Sequence, residues 1–366
     1  MNKVKRLTAV FFVTLLAVAV YSRPGSTQAA SMGSCDTIDA NSFCDSKAVD
    51  NKDVDVSGHN LGSNLDNLDL AIATTGSNSQ SSNGDRNTID SSSSDANYKS
   101  DNYLNPMEVS VQSGAEATNK NITNNSDGDT KATNNDDVKA RIENKDTNLN
   151  NATIAFAASG LNEQNTNDDA NAITTGWTDS YASSNNVVNS TLITTGSGAK
   201  AANNGVMGNS FADAKAENNN TVDVYVKNKN TDVTNTTVSI SISGGNEQNK
   251  NGDANSIASG DSTAKAHATN YVNVVEVGPK GGSTGAVASN SNITNNSDGD
   301  AKATVNDNVT AKVENKDTTV QNTSVAVAAT GGNNQNHNDD KNSTTTGAAT
   351  AGGSTSNVVN AVQVHY

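Results

Sequence analysis

Ser243-Gly244-Gly245-Asn246-Glu247-Gln248 follows a run in which Val238, Ile240 and Ile242 alternate with polar residues. The element recurs as Thr75-Gly76-Ser77-Asn78-Ser79-Gln80, Ser159-Gly160-Leu161-Asn162-Glu163-Gln164 and Thr330-Gly331-Gly332-Asn333-Asn334-Gln335. Its asparagines stand at 78, 162, 246 and 333, giving steps of 84, 84 and 87 residues. Two further markers keep that spacing. Asn102-Tyr103-Leu104-Asn105 matches Asn186-Val187-Val188-Asn189, Asn270-Tyr271-Val272-Asn273 and Asn357-Val358-Val359-Asn360, and an aspartate recurs at Asp45, Asp129, Asp213 and Asp300. Ser42-Phe43-Cys44-Asp45 also mirrors Ser210-Phe211-Ala212-Asp213. A fixed period of this kind marks a repeat architecture. The three additional residues of the last step fall at Gly278-Pro279-Lys280-Gly281-Gly282, a natural loop.

The markers divide the chain into four units, 36–109, 120–193, 204–277 and 291–364, with connectors rich in Gly, Ala, Ser and Asn between them. Inside each unit the apolar period is two. Val222, Val224 and Val226 alternate with polar residues, as do Val138, Ala140 and Ile142, and Val309, Ala311 and Val313. Such alternation predicts half-buried strands. Ser126-Asp127-Gly128-Asp129, Asn251-Gly252-Asp253 and Asn338-Asp339-Asp340 supply turn residues that tolerate a left-handed backbone. No long helical period competes, and Pro106 is the one proline inside a unit. The expected class is all-β.

Each unit holds too few Val, Ile, Leu and Phe to offset the conformational entropy of ordering it alone. Stability must then come from backbone ladders and stacked neighbours, as in repeat arrays. A narrow β-solenoid is expected, with small inward Ala and Val and with Asn and Thr ladders between layers. A string of small β-sandwich domains is the alternative, and it calls for larger core residues.

Residues 1–30 have the anatomy of a secretory signal peptide: Lys3, Lys5 and Arg6, then an apolar run from Leu7 to Val20, then Ala29 and Ala30 as cleavage positions. The apolar run is short for a membrane span, and the mature chain has no second one. The expected location is extracellular or at the cell surface, with the means of anchoring unspecified. Cys35 and Cys44 are expected to form a disulfide in that oxidising setting. The net charge of −15 argues against nucleic-acid binding, which needs a basic face. It equally opposes attraction to anionic lipid, and with the low hydrophobicity it leaves a disordered secreted polyanion as a third reading.

Ala157-Ala158-Ser159-Gly160-Leu161-Asn162-Glu163-Gln164-Asn165 resembles the repeat signature of Fap-type functional amyloid fibre subunits, in which an alternating strand leads into Ala-Gly and an Asn/Gln-rich turn. Val325-Ala326-Val327-Ala328-Ala329-Thr330-Gly331-Gly332-Asn333-Asn334-Gln335-Asn336 fits the same pattern, and curlin subunits are a looser relative. The resemblance covers about a dozen residues in each unit. It implies a secreted subunit that polymerises with itself into β-rich fibres of a sheath or biofilm matrix. The Cys-x-x-Cys of Fap subunits is absent. The last strand-like run, carrying Val358, Val362 and Val364, is the expected assembly edge, since an unpaired strand edge is a template for another chain.

Catalysis has little to draw on. His59, His267, His337 and His365 stand singly, and Gly196-Ser197-Gly198-Ala199-Lys200 only hints at a phosphate loop. The expectation is no enzyme and no cofactor other than calcium. Asp127, Asp129, Asp298 and Asp300 put hard oxygens on tight turns, which suits that ion, although none completes an EF-hand loop. A monomeric adhesin or surface-layer protein using calcium is therefore the alternative to a fibre subunit. Paired threonines at Thr174-Thr175 and Thr194-Thr195 are too irregular for an ice-binding array. The Asn-x-Ser/Thr sites at Asn121, Asn151, Asn235, Asn292 and Asn322 are expected from composition.

Overall fold

The computed structural model describes residues 30–35, 38–39, 41–84, 86–168, 170–279, 285–339 and 341–365. The expected leader, with Lys3, Lys5 and Arg6, lies outside these residues, as do Lys280, Gly281, Gly282 and Asp340. Ala30, placed at the leader's end, opens the first strand, Ala30–Cys35.

The protein is all-β, built from parallel sheets. Every strand pairs with its counterpart one step along the chain. Val138 lies beside Val222, and Val222 beside Val309. One 84-residue step is therefore one coil of a solenoid. Coil 1 starts at Ala30, coil 2 at Gly114, coil 3 at Gly198 and coil 4 at Gly285, four residues in one register column. Hydrogen bonding therefore runs between units, each unit stacked on its neighbours. One expectation is corrected: the solenoid is wide rather than narrow, since a whole unit is spent on one layer. The connectors are not linkers either: 110–119 lies inside strand Met107–Ile122, and 194–203 inside strand Thr191–Val206. Their small residues belong to the core.

Coil 2 shows the path. An outgoing strand, Thr130–Gly160, is followed by two short strands, Glu163–Asn165 and Ala172–Thr175, at the far end. Thr178–Val188 and Thr191–Val206 return. Outgoing and returning strands face each other as two sheets. In the first half, Val138, Ala140 and Ile142 pack with Ile193 and their counterparts in other coils, beside an alanine layer of Ala115, Ala117, Ala132 and Ala201. Both sheets bend at one place. Asp146, Asn230 and Asp317 in the outgoing strands, and Asn105, Asn189, Asn273 and Asn360 in the returning path, all have φ of 53–56°. Asn and Asp accept that left-handed conformation most readily among non-glycine residues.

Beyond the bend the interior narrows and the side-chain pattern inverts. Ala155, Ala157 and Ala182 fill it in coil 2, with Ser239 and Ser241 in coil 3. Serine hydroxyls reach carbonyls of the facing sheet, Ser180 Oγ to Ala155 O at 2.9 Å and Ser241 Oγ to Thr178 O at 3.0 Å. No Val or Ile stands between these facing serines and alanines; larger side chains are buried only on either side of them, in the Leu149, Val188, Val233 and Val272 cluster next to the bend and the Ile89, Ile173 and Ile257 column at the far end. Val238, Ile240 and Ile242, whose alternation suggested core-facing strands, point outward instead and are half-buried only by their neighbours above and below.

Gly76, Gly160, Gly244 and Gly331 close the outgoing strands, with φ from +91° to +128°. A Cβ on Gly160 would lie 2.0 Å from the carbonyl oxygen of Gly244 in the next coil. Gly160→Ala should cost on the order of 4 kcal/mol or more. Gly62→Ala, at φ +68° with nothing within 4 Å of its Cβ, should cost about 1–2 kcal/mol of left-handed strain. Urea denaturation midpoints of the two variants check the contrast.

Candidate functional site

In-register stacking places each interior polar residue on its own counterpart. A carboxamide suits this, because it donates and accepts and so bonds to a copy of itself. Asn78 Nδ2 donates to Asn162 Oδ1 at 3.1 Å, Asn162 to Asn246 at 3.0 Å, and Asn246 to Asn333 at 2.9 Å. Backbone N–H groups of Asn78, Asn162 and Asn246 donate to the same oxygens. Gln164 donates to Gln80 at 2.9 Å, Gln248 to Gln164 at 2.8 Å and Gln335 to Gln248 at 2.7 Å. Asn162, Gln164, Asn246 and Gln248 are buried. The repeat-turn motif singled out in the sequence is thus a pair of amide ladders running the height of the molecule. Its short strands, such as Glu163–Asn165 and Glu247–Asn249, form a sheet of their own at the far end.

The second marker forms two more ladders. Asn102, Asn186, Asn270 and Asn357 are joined at 2.8, 2.7 and 2.8 Å. Asn105, Asn189, Asn273 and Asn360 are joined at 3.0, 3.0 and 2.9 Å, at the bend. Sequence reading missed another, Asn60, Asn144, Asn228 and Asn315, joined at 2.7 Å throughout. Their common offset of 84 and 87 could have revealed it. Asn151 and Asn235, noted as glycosylation sequons, are buried inside a ladder.

The aspartate marker has a backbone role. Asp45 Oδ1 accepts from Asp129 N at 3.3 Å, Asp129 from Asp213 N at 2.9 Å, and Asp213 from Asp300 N at 2.9 Å. Asp127 and Asp298 are not neighbours, because Phe211 of coil 3 stands between them. Burial, followed by the like charges of Asp129, Asp45 and Asp213, holds the Asp127 carboxyl above the usual carboxylate range. Asp127, Asp129, Asp213, Asp298 and Asp300 line a cavity of about 300 Å³ with Phe211 and Gly299. Of the expected calcium residues, Asp127 and Asp129 stand on coil 2 and Asp298 and Asp300 on coil 4, and one oxygen of the Asp129 carboxylate accepts a backbone N–H. Among the described residues no group of three or more His, Cys, Asp or Glu side chains is placed to hold a metal ion.

Cys35 and Cys44 are joined as a disulfide with a Cα–Cα distance of 6.6 Å, within the usual range. They pack on Ile38, Ile122, Val206 and Ala212 at the near end. His267 contacts the hydroxyls of Ser354 at 2.6 Å and Thr269 at 3.0 Å. Both ring nitrogens are thereby occupied by hydroxyls, which is not a catalytic triad arrangement. Gly196-Ser197-Gly198-Ala199-Lys200 lies within a strand, without the strand-to-helix turn that a phosphate loop needs. No helix among the described residues is long and apolar enough to cross a membrane.

The outer rims of coils 1 and 4 carry no strand partner among the described residues. The assembly edge expected at Val358, Val362 and Val364 is only part of one rim. Val358 is the penultimate residue of strand Ala349–Val359 and the other two lie in strand Val362–Val364. The 31-residue strand Ala301–Gly331 is the larger share of that rim.

The layers also alternate in kind. Asn121-Ile122-Thr123-Asn124-Asn125-Ser126-Asp127-Gly128-Asp129 of coil 2 reappears unchanged as Asn292 to Asp300 of coil 4, and Glu143-Asn144-Lys145-Asp146-Thr147 as Glu314 to Thr318. Coils 1 and 3 share Ser-Phe-x-Asp where coils 2 and 4 have Ser-Asp-Gly-Asp. The outward face of coil 4 thus resembles the face that coil 2 presents to coil 3.

Compared with known proteins, the chain matches no family model, no curated protein sequence and no solved structure.

One ladder is cut short. Asn134 donates to Asn218 at 2.9 Å, but the next residue in the column is Val305. The buried Asn218 Nδ2 has no acceptor. Val305→Asn should supply one and raise stability by about 1–2 kcal/mol, read as a higher urea midpoint.

Proposed function

We propose that this chain is a secreted structural subunit that stacks on copies of itself, coil 4 of one against coil 1 of the next, to build β-rich extracellular fibres. The observation that carries this reading is the matched character of the two open rims. The three Asn ladders through Asn144, Asn186 and Asn189 donate toward coil 4, so there that rim ends in the amide groups of Asn315, Asn357 and Asn360, while the coil 1 rim begins with the oxygens of Asn60, Asn102 and Asn105. The Gln ladder and the exposed Asn51–Asn135–Asn219–Asn306 ladder run the other way and are matched between the rims in the same manner. In a stack these columns meet in the register they keep inside the molecule. Val309 would lie over Val54 and Ala303 over Ala48, and the alternation of layer kinds would continue. A long rim left unpaired is otherwise a hazard that proteins cover or charge.

The short resemblance to Fap-type subunits points the same way, as does the leader-like start of the chain. On this reading the protein has no enzymatic role, its partner is its own copy, and its place is outside the cell or on its surface. A monomeric, calcium-stabilised adhesin draws less support from the aspartates, since one carboxylate oxygen each of Asp129 and Asp298 is already taken by a backbone N–H.

Ala311 sits at the coil 4 rim, facing the interior and partly buried. Ala311→Lys places an inward charge there, the device that natural edge strands use against pairing. In the free molecule the ammonium can reach solvent over the open rim, at a cost of about 1–3 kcal/mol. The expected result is an unchanged strand-rich circular dichroism spectrum with loss of the fibres that the unaltered chain forms under electron microscopy. Fibres from both proteins would contradict the rim-to-rim arrangement, and a persistent monomer from the unaltered chain would contradict assembly.

A further inference from the structure

The outer surface of the outgoing sheet has two unlike halves. Before the bend it is charged, with Lys131, Asp137, Lys139, Arg141 and Glu143 in coil 2. Past the bend, where small residues fill the interior, the larger apolar side chains stand outside. Leu70, Ile154, Val238 and Val325 form one column, and Ile72, Phe156, Ile240 and Val327 the next. Leu70 is 54% exposed, Ile72 62% and Val327 44%. Leu68 and Ile242 widen this window. The polar column of Asp66, Asn150, Thr234 and Gln321 borders it on one side, and the glycine column on the other. An apolar patch rimmed in this way marks an interaction surface.

We infer that this window is the contact by which two stacks of the chain pair side by side, apolar columns of one against those of the other. This rests on the stacking proposed above. Area selects the occupant. Three or four columns spaced about 6.8 Å apart, over four layers about 4.8 Å apart, give roughly 400 Å². A standard specific interface needs about 800 Å² per partner. Single molecules therefore do not pair, whereas a stack multiplies the window along its length until pairing is strong. A second stack also repeats its side chains at the same layer spacing, so the columns can interlock along their whole length as in a dry zipper. Charge points to the same contact. The chain carries a net charge of −15, and its expected leader holds only basic charges, so two stacks of the mature chain repel, and the window columns carry no charged residue.

The test is mass per length by scanning transmission electron microscopy of the full mature chain. The variants are Val238→Thr with Ile240→Thr, and separately Leu70→Lys with Val327→Lys, whose sites are exposed enough for the fold to accept a charge. Unaltered fibres are expected to have twice the mass per length of either variant's fibres. The variants should still form single stacks with unchanged circular dichroism, and unaltered pairing should strengthen with added salt as the net charge is screened. Single stacks from the unaltered chain at every salt concentration would overturn the inference while leaving stacking intact. Pairing that survives in both variants would overturn it equally. Absence of any fibre from the unaltered chain would overturn stacking and the pairing built on it.

Discussion

Parallel, in-register pairing of each residue with its counterpart one coil away governs everything else in this molecule. Along the stacking axis a side chain meets another copy of its own position at about 4.8 Å. A column is stable only if its residue type tolerates itself. Carboxamides do, because each supplies the donor that the next accepts. A net gain of about 1 kcal/mol per hydrogen bond is modest. An amide left unmatched inside costs as much or more, and the Asn134–Asn218 pair shows both situations in one column. Val, Ala and Ile columns need only matched volume. Glycine is required where a Cβ would point along the axis into the carbonyl of the next coil.

Charges are the difficult case, since a column of one sign repels itself. Lys47, Lys131, Lys215 and Lys302 form such a column, and it lies on the water-facing side where screening is effective. Opposite charges from the next column offset it, with Lys215 contacting Glu217 at 2.5 Å and Lys131 the same glutamate at 3.6 Å. The neighbouring lysine holds the Glu217 carboxyl below its ordinary range, and in the same way Lys227 lowers Glu143. The aspartate column is held differently, by backbone N–H groups of the following coil. Alternation of layer kinds eases the adjacent column, where Phe43 and Phe211 separate Asp127 from further like charges.

Much of this was legible in the sequence. The 84-residue step, the marker asparagines, the strand runs and the Cys35–Cys44 pairing follow from spacing and residue type. The geometry of stacking was not legible, because a period-two pattern is the same whether strands pair within a unit or between units. Facing was not legible either. Val238, Ile240 and Ile242 alternate as core residues do, yet the serines and alanines between them line an interior too narrow for anything larger. Connectors of small residues read as linkers for a related cause. Ala115, Ala117, Ala199 and Ala201 are a core layer in which smallness permits close packing.

The central claim is that residues one step apart in sequence are adjacent in space within one molecule. Lys139 and Asp223 are register partners on the outer face. Spin labels on Lys139→Cys and Asp223→Cys, in labelled chains diluted with unlabelled ones, test it most directly by continuous-wave electron paramagnetic resonance. Coil stacking predicts strong dipolar broadening from backbone positions about 4.8 Å apart. A spectrum equal to the sum of the two singly labelled proteins would contradict it.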